Sequence, residues 1–446
     1  MKGHDWHVRM SVAWLLLSLS TSSVHANDTA ALRRELATMK QQLQRLQRRL
    51  EKQEQVIDRL ESKSPAAAPV RASATTPTPP GGAAAALDQA LGDATAAAPA
   101  ERKTPPPGLF TRQAGGATLR LVDVSFGILL AAGTSTADDD TIAGLQGGAH
   151  DPNRRGFTLQ QGEFSLSGAV DPYFSGEAHI VFTPDGVELE EAFLTTTSLP
   201  YGLQLEAGHF FTEFGRLNPT HPHAWHWIDQ PIVNSRLFGG DGLRNPGMRL
   251  GWLLPVPWFS ELHLGVQNAA SETAYSFLGD GGSEGIGGRP LIERKVRTLS
   301  DLLYLTRFEN SWDLTATVTT KLGASTLFGP NPTGPHGRTR IDGADLVVKW
   351  RPNDNQRGWP FLIWQTEIME RAFHADRFAD PAGINTLTAT TLHDWGLYSQ
   401  LLYGFHYGWA AGVRYEFATG SGQSLGGSEN DPLRDTRHRF SPLVIW

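Results

Sequence analysis

The stretch Trp409-Ala410-Ala411-Gly412-Val413-Arg414-Tyr415-Glu416-Phe417 puts Trp409, Ala411, Val413, Tyr415 and Phe417 on one side of an extended chain and Arg414 and Glu416 on the other. Period two of this kind marks a β-strand with one apolar and one ionisable face. The same pattern sets Phe174, Gly176, Ala178, Ile180 and Phe182 against Ser175, Glu177 and His179, and Leu262, Leu264 and Val266 against Glu261, His263 and Gln267. Such runs recur near 117–131, 157–170, 172–183, 187–199, 201–212, 246–254, 258–268, 298–309, 312–322, 342–351, 359–370, 392–403, 405–418 and 435–446, about fourteen in all. Clusters of Gly, Pro, Asn and Asp separate them, which is the chemistry of turns.

A soluble β-sandwich alternates in the same way, so what the apolar face meets decides between two folds. In a membrane barrel it meets lipid, the polar face lines a lumen, and aromatic residues mark the interfaces. Tyr173, Tyr201, Trp252, Trp258, Trp350, Trp359 and Tyr403 lie near strand ends. Short turns such as Pro184-Asp185-Gly186 alternate with longer Gly-rich connections. The expected fold is therefore all-β, an antiparallel transmembrane β-barrel over residues 110–446. Trp446 supplies a terminal aromatic, but Pro442 removes a ladder donor from the last run. That run reads as an opening strand, so the expectation is a C-terminal truncation and a complete barrel of roughly 16 to 18 strands, wide enough for an aqueous channel.

The composition fits this fold and excludes others. The chain has 446 residues with 47 Gly, 28 Pro and no Cys, which argues against an all-helical protein and rules out disulfides, thiolate metal sites and a thiol nucleophile. A formal charge of -7 leaves no basic footprint for nucleic acid. No G-x-S-x-G elbow, P-loop or H-E-x-x-H motif occurs, and an enzyme is not expected.

The N-terminal quarter is written differently. Residues 1–26 carry Lys2, His4, His7 and Arg9, then an apolar core from Val12 to Leu19, then Val24-His25-Ala26. This is the pattern of a secretory signal peptide cleaved after Ala26; its core falls well short of the ~20 residues a membrane span needs. In residues 27–62 Leu36, Leu43, Leu50 and Ile57 form one heptad position, and Leu32, Met39, Leu46, Gln53 and Leu60 the other. One helix cannot bury that seam alone, so a coiled coil with partner copies is expected. Residues 63–109 are rich in Pro and Ala and read as a semi-extended spacer.

Between the strands ending near Thr212 and starting near Pro246 lies the longest concentration of function-capable groups. It holds Glu213, Arg216, His221, His223, His226, Asp229, Arg236, Asp241 and Arg244, with Trp225 and Trp227 interleaved. A long loop inside a compact barrel is usually functional or packed inward, and fixed charge in a lumen selects solutes. Glu213, Arg216, Arg236, Asp241 and Arg244 are the expected pore constriction. His221, His223 and His226 could supply imidazole to Zn²⁺ or a similar cation, with Asp229 or Glu213 as oxygen ligand; the same histidines could equally serve to hold the loop against the wall. Asp138-Asp139-Asp140 is a second candidate cation contact, or a solvated loop tip.

Over Gly208-His209-Phe210-Phe211-Thr212-Glu213-Phe214-Gly215-Arg216-Leu217-Asn218 and on through His221-Pro222-His223-Ala224-Trp225, the chain resembles a family of porin-like outer-membrane proteins, some labelled zinc-regulated outer-membrane receptors. Gly240-Asp241-Gly242-Leu243-Arg244 and the region from Leu253-Leu254-Pro255 to Gln267-Asn268 continue the likeness, which covers most of residues 110–446. The opening of the stretch is also similar to phosphate-selective porins, and a coiled coil before a barrel is similar to certain trimeric sugar porins. The resemblance implies passive passage of a small hydrophilic solute or metal ion through an outer-membrane barrel, with outer-membrane lipid around it, a periplasmic coiled coil, a homotrimer and no cofactor. The alternative is a structural barrel whose coiled coil ties the membrane to the cell wall.

Overall fold

The computed structural model describes residues 111–446 except 115–116, 121, 146, 170, 172, 280–285, 293, 380–385 and 423–431. The expected signal peptide, coiled coil and linker lie outside the described residues. Fourteen strands form one antiparallel sheet: β1 (Val122–Gly133), β2 (Gly156–Ala169), β3 (Phe174–Thr183), β4 (Gly186–Thr196), β5 (Leu203–Phe211), β6 (Arg244–Leu253), β7 (Phe259–Asn268), β8 (Leu302–Thr315), β9 (Val318–Pro330), β10 (Arg338–Trp350), β11 (Phe361–Ala375), β12 (Thr390–His406), β13 (Trp409–Ser421) and β14 (Arg437–Ile445). Each pairs with the next in sequence, an unbroken meander. Two short helices, α1 (Asp139–Ala143) and α2 (Ile232–Phe238), lie in connections. Among the described residues no helix is long and apolar enough to cross a membrane, which says nothing of crossing by strands.

The connections sort by rim. One rim carries 170–173, 197–202, 254–258, 316–317, 351–360 and 407–408; the other carries the longer 134–155, 212–243, 269–301, 376–389 and 422–436, with the shorter 184–185 and 331–337. Pro442 is accommodated within β14, opposite Val413, because β14 lies at the edge of the sheet, where a missing donor is tolerated.

The sheet is polar inside and apolar outside, the reverse of a soluble protein. In β11 Glu367 and Arg371 are each 1% exposed, whereas Ile368 between them is 49% exposed. In β12 Asp394, Tyr398 and Gln400 are buried while Trp395, Leu401, Tyr403 and Phe405 face out. Burying charge is tolerated because the charges pair. Arg307 reaches Asp345 at 2.6 Å and Glu309 at 2.8 Å, and Asp394 lies between Arg371 at 2.7 Å and Arg434 at 2.9 Å.

The sheet curls around the 212–243 segment. Gln160 of β2 donates to the Ile228 carbonyl at 2.8 Å, while Arg414 of β13, near the far end of the strand order, donates to the Asp229 carbonyl at 3.0 Å. Arg437 of β14 also reaches the Gly144 carbonyl after α1 at 3.0 Å. Among the described residues β1 and β14 do not pair, so the wrapped sheet stays open along one seam.

Candidate functional site

The 212–243 segment is tied at its neck. Thr212 N–H donates to the Leu243 carbonyl at 2.9 Å. Asn218 spans the same gap: its side-chain amide donates to the carbonyls of Thr212 (2.7 Å) and Leu243 (3.0 Å), and its oxygen accepts from Leu243 N–H (2.8 Å). Gly215 holds φ +64°, a left-handed turn that glycine takes without strain. The turn aims the amides of Arg216 and Leu217 at the Glu367 carboxylate of β11.

Beyond the turn the segment docks on the inner wall. All seven residues of α2 are buried. Phe214, Leu217, Val233, Leu237 and Phe238 pack with Leu303, Leu305, Leu327, Ile341, Met369 and Tyr398 in one apolar cluster. Burying those side chains stabilises the inward fold by roughly 1.5–3 kcal/mol each. The Glu416 carboxylate of β13 accepts from Ile232 N–H at 2.8 Å, placing an anion at the start of α2. Trp227 donates to the Ser441 carbonyl of β14 at 3.0 Å.

On the opposite side the segment meets a cluster of carboxylates and imidazoles. His221 Nδ1 lies 2.9 Å from Glu190 and its Nε2 lies 2.8 Å from Glu191. His223 Nδ1 lies 2.8 Å from Glu163, and His179 Nδ1 lies 3.0 Å from the other oxygen of the same carboxylate. Adjacent Glu190 and Glu191 are both buried, against strand alternation, because of a β-bulge. His179 pairs with Glu191 and Ile180 with Leu189, so Glu190 is the extra residue and turns inward beside its neighbour. A second bulge, in which Leu129 pairs with Gln161 and Leu130 with Leu159, buries the adjacent pair Gln160 and Gln161. Burial opposes charge on His221, but Glu163, Glu190 and Glu191 outweigh it and hold its pKa well above the ordinary range.

The residues singled out by sequence are distributed as follows. His221 and His223 come together, joined by Glu163, His179, Glu190 and Glu191 from the wall. His226 is outside that cluster of contacts but shares a cavity of about 250 Å³ with His221 and His223, lined also by Arg216, Trp225, Gln365 and Gln400. Burial, with Arg216 and Lys349 nearby, depresses the His226 pKa to about 4, an environment that disfavours a cation. Asp229 pairs with Arg414 at 2.6 Å and Arg439 at 2.9 Å, so its carboxylate is engaged by two guanidinium groups.

The five expected constriction residues reach different parts of the wall rather than one ring. Glu213 pairs with Arg249 of β6; burial raises its pKa, but Arg249 prevails and holds it low. Arg216 lines the 250 Å³ cavity. Arg236 donates to the Asp435 carbonyl at 2.8 Å, and burial pushes its pKa down to about 10. Asp241 faces His150 at 3.3 Å, and Arg244 pairs with Glu188 and stacks over Phe211 with 5.4 Å to the ring centroid. Asp138 accepts from Thr141 N–H at 2.8 Å as the cap of α1, and Asp139 pairs with Arg155 at 2.9 Å, which accounts for two members of the acidic triplet.

No protein-family model matches the chain. It is 32% identical over 288 residues to an uncharacterized protein of Aquifex aeolicus (strain VF5), a match covering 62% of this chain. The chain spans 58% of that relative's length. Among solved structures it is similar to a loop-deletion mutant of OmpT, an outer membrane protein of Vibrio cholerae (10% identity, TM-score 0.35, 73% of this chain and 99% of that one). It is also similar to the outer membrane channel DcaP of Acinetobacter baumannii (12% identity, TM-score 0.32, 73% and 95%).

Proposed function

We propose that residues 110–446 form an outer-membrane β-barrel that passes small hydrophilic solutes or metal ions passively, with the infolded 212–243 segment setting the opening. The observation that carries this reading is the inverted polarity of the wall: aromatic and aliphatic side chains face out while paired charges face in, as a strand between lipid and a wet lumen requires. A wall of 9- to 17-residue strands is long enough to cross the hydrocarbon layer. The signal peptide at 1–26 supplies export, and the coiled coil at 27–62 supplies a periplasmic trimer at the end of the 63–109 spacer.

The closed-anchor reading has its own support. The apolar cluster between the segment and β8–β12 fills part of the interior with side chains rather than water. Planar-bilayer recording separates the two. Discrete steps of current that depend on ion or sugar identity support passage; a folded, inserted protein that carries no current refutes it and leaves the anchor.

A further inference from the structure

We infer that Glu163, His221 and His223 form a three-ligand site for one divalent cation of the zinc type, seated where the infolded segment meets β2. The site deepens the reading of the segment as part of a transport barrel, but binding itself does not require that the barrel conduct.

Zinc takes nitrogen and oxygen ligands in a tetrahedron, and bonds of about 2.1 Å imply ligand atoms about 3.4 Å apart. The Glu163 carboxylate lies 2.8 Å from His223 Nδ1 and 3.7 Å from His221 Nδ1, and Glu190 lies 2.9 Å from that same His221 nitrogen. The first two separations bracket the required edge, and Glu190 now occupies the His221 nitrogen that the ion would take, the fourth position being left to water. The ligand atoms of Glu163, His221 and His223 all fall within 4.8 Å of one another. Small side-chain adjustments suffice to open the centre.

The far side of each of two ligands is already held. His221 Nε2 faces Glu191 at 2.8 Å, and the other Glu191 oxygen accepts from Phe211 N–H at 2.8 Å. That is the carboxylate–histidine pairing that orients a metal-binding imidazole. The second oxygen of Glu163 is fixed by Ser165 at 2.7 Å and His179 at 3.0 Å. The cluster also carries an excess of carboxylate: Glu163, Glu190 and Glu191 surround three imidazoles, and a divalent ion offsets two of their three negative charges. His223 is half exposed and borders the 250 Å³ cavity, which gives the ion a way in. One ligand comes from the wall and two from the segment, so the ion staples one to the other.

The test uses the full chain folded in detergent, stripped with chelator, then titrated with Zn²⁺ by equilibrium dialysis and with Co²⁺ by absorption. One ion per chain and a tetrahedral cobalt spectrum are expected. His223→Ala, at an exposed position that folding tolerates, is expected to weaken zinc binding at least about tenfold, as is Glu163→Gln. His226→Ala is expected to leave it unchanged. Lack of stoichiometric zinc in the natural chain, or natural affinity in both His223→Ala and Glu163→Gln, overturns the proposal. Stoichiometric zinc in a protein that carries no current upholds the site and removes the channel.

Discussion

Replacing Asn218 with Ala is expected to unfasten the infolded segment. The side chain makes three hydrogen bonds at the neck, and their losses are unequal. The Thr212 carbonyl keeps the amide of Phe214 at 2.7 Å, and the Leu243 carbonyl keeps the amide of Thr212 at 2.9 Å. The buried Leu243 amide, by contrast, loses the Asn218 oxygen at 2.8 Å. An orphaned buried donor costs about 1–3 kcal/mol and each of the other two bonds about 0.5–1.5 kcal/mol. A cavity of about 20 Å³ beside Asn218 has room for one water, which offsets part of the loss. The sum expected is roughly 2–4 kcal/mol. Denaturant unfolding in detergent micelles measures it, and single-channel recording should show larger or noisier current as the segment loosens. Natural stability together with natural conductance refutes the neck as the fastening.

Further outcomes follow from the same geometry. Burial, followed by the Asp229 charge, pushes the Asp151 carboxyl up to about 7 from 3.8. The folded state therefore holds a proton that the unfolded chain releases near pH 4, and stability falls as pH rises from about 4 to 7 by up to roughly 4 kcal/mol. Asp151→Asn, whose single oxygen can still accept from Gly148 and Gln230, is expected to flatten that slope; an unchanged slope in urea titrations assigns it elsewhere. Ile368→Arg, at the middle of β11, is expected to destabilise the lipid-folded protein by about 2–4 kcal/mol. A solvent-exposed sheet face would absorb that change, so a neutral result argues against lipid contact. Asp394→Ala strands Arg371 and Arg434 in the interior and is expected to cost about 3–5 kcal/mol in thermal or denaturant unfolding.

All fourteen strands were legible as period-two runs, because outward apolar and inward polar positions alternate along most of their lengths. The boundaries slipped where turn chemistry is silent. The reading breaks near 310, but β8 runs to Thr315 through a bulge at 313–315, and its turn at 316–317 holds Ala316 and Thr317 with neither Gly nor Pro. The segment itself was visible as a dense polar loop, and His221 and His223 with it. Glu163, Glu190 and Glu191 were not, since they lie on strands far away in sequence and only the curl of the sheet delivers them. One signal was available: Glu190-Glu191 breaks the alternation of its strand, as Gln160-Gln161 does in β2, and both breaks are bulges that turn two neighbours inward. His226 and Asp229 looked like ligands through proximity along the chain; His226 lies on the 250 Å³ cavity that His223 borders, and Asp229 pairs with Arg414 and Arg439.

Asp229 and Gln230 join parts of the sheet that share no ladder. The Gln230 amide donates to Asp151, ahead of β2, and its carbonyl accepts from Arg439 of β14. The Asp229 carboxylate takes Arg414 and Arg439. A seam without backbone pairing is thereby cross-braced from within, like a hoop held by a spoke instead of a weld. Unrolling the wall at that seam therefore breaks ion pairs and hydrogen bonds in the interior as well as the Arg437 contact to Gly144.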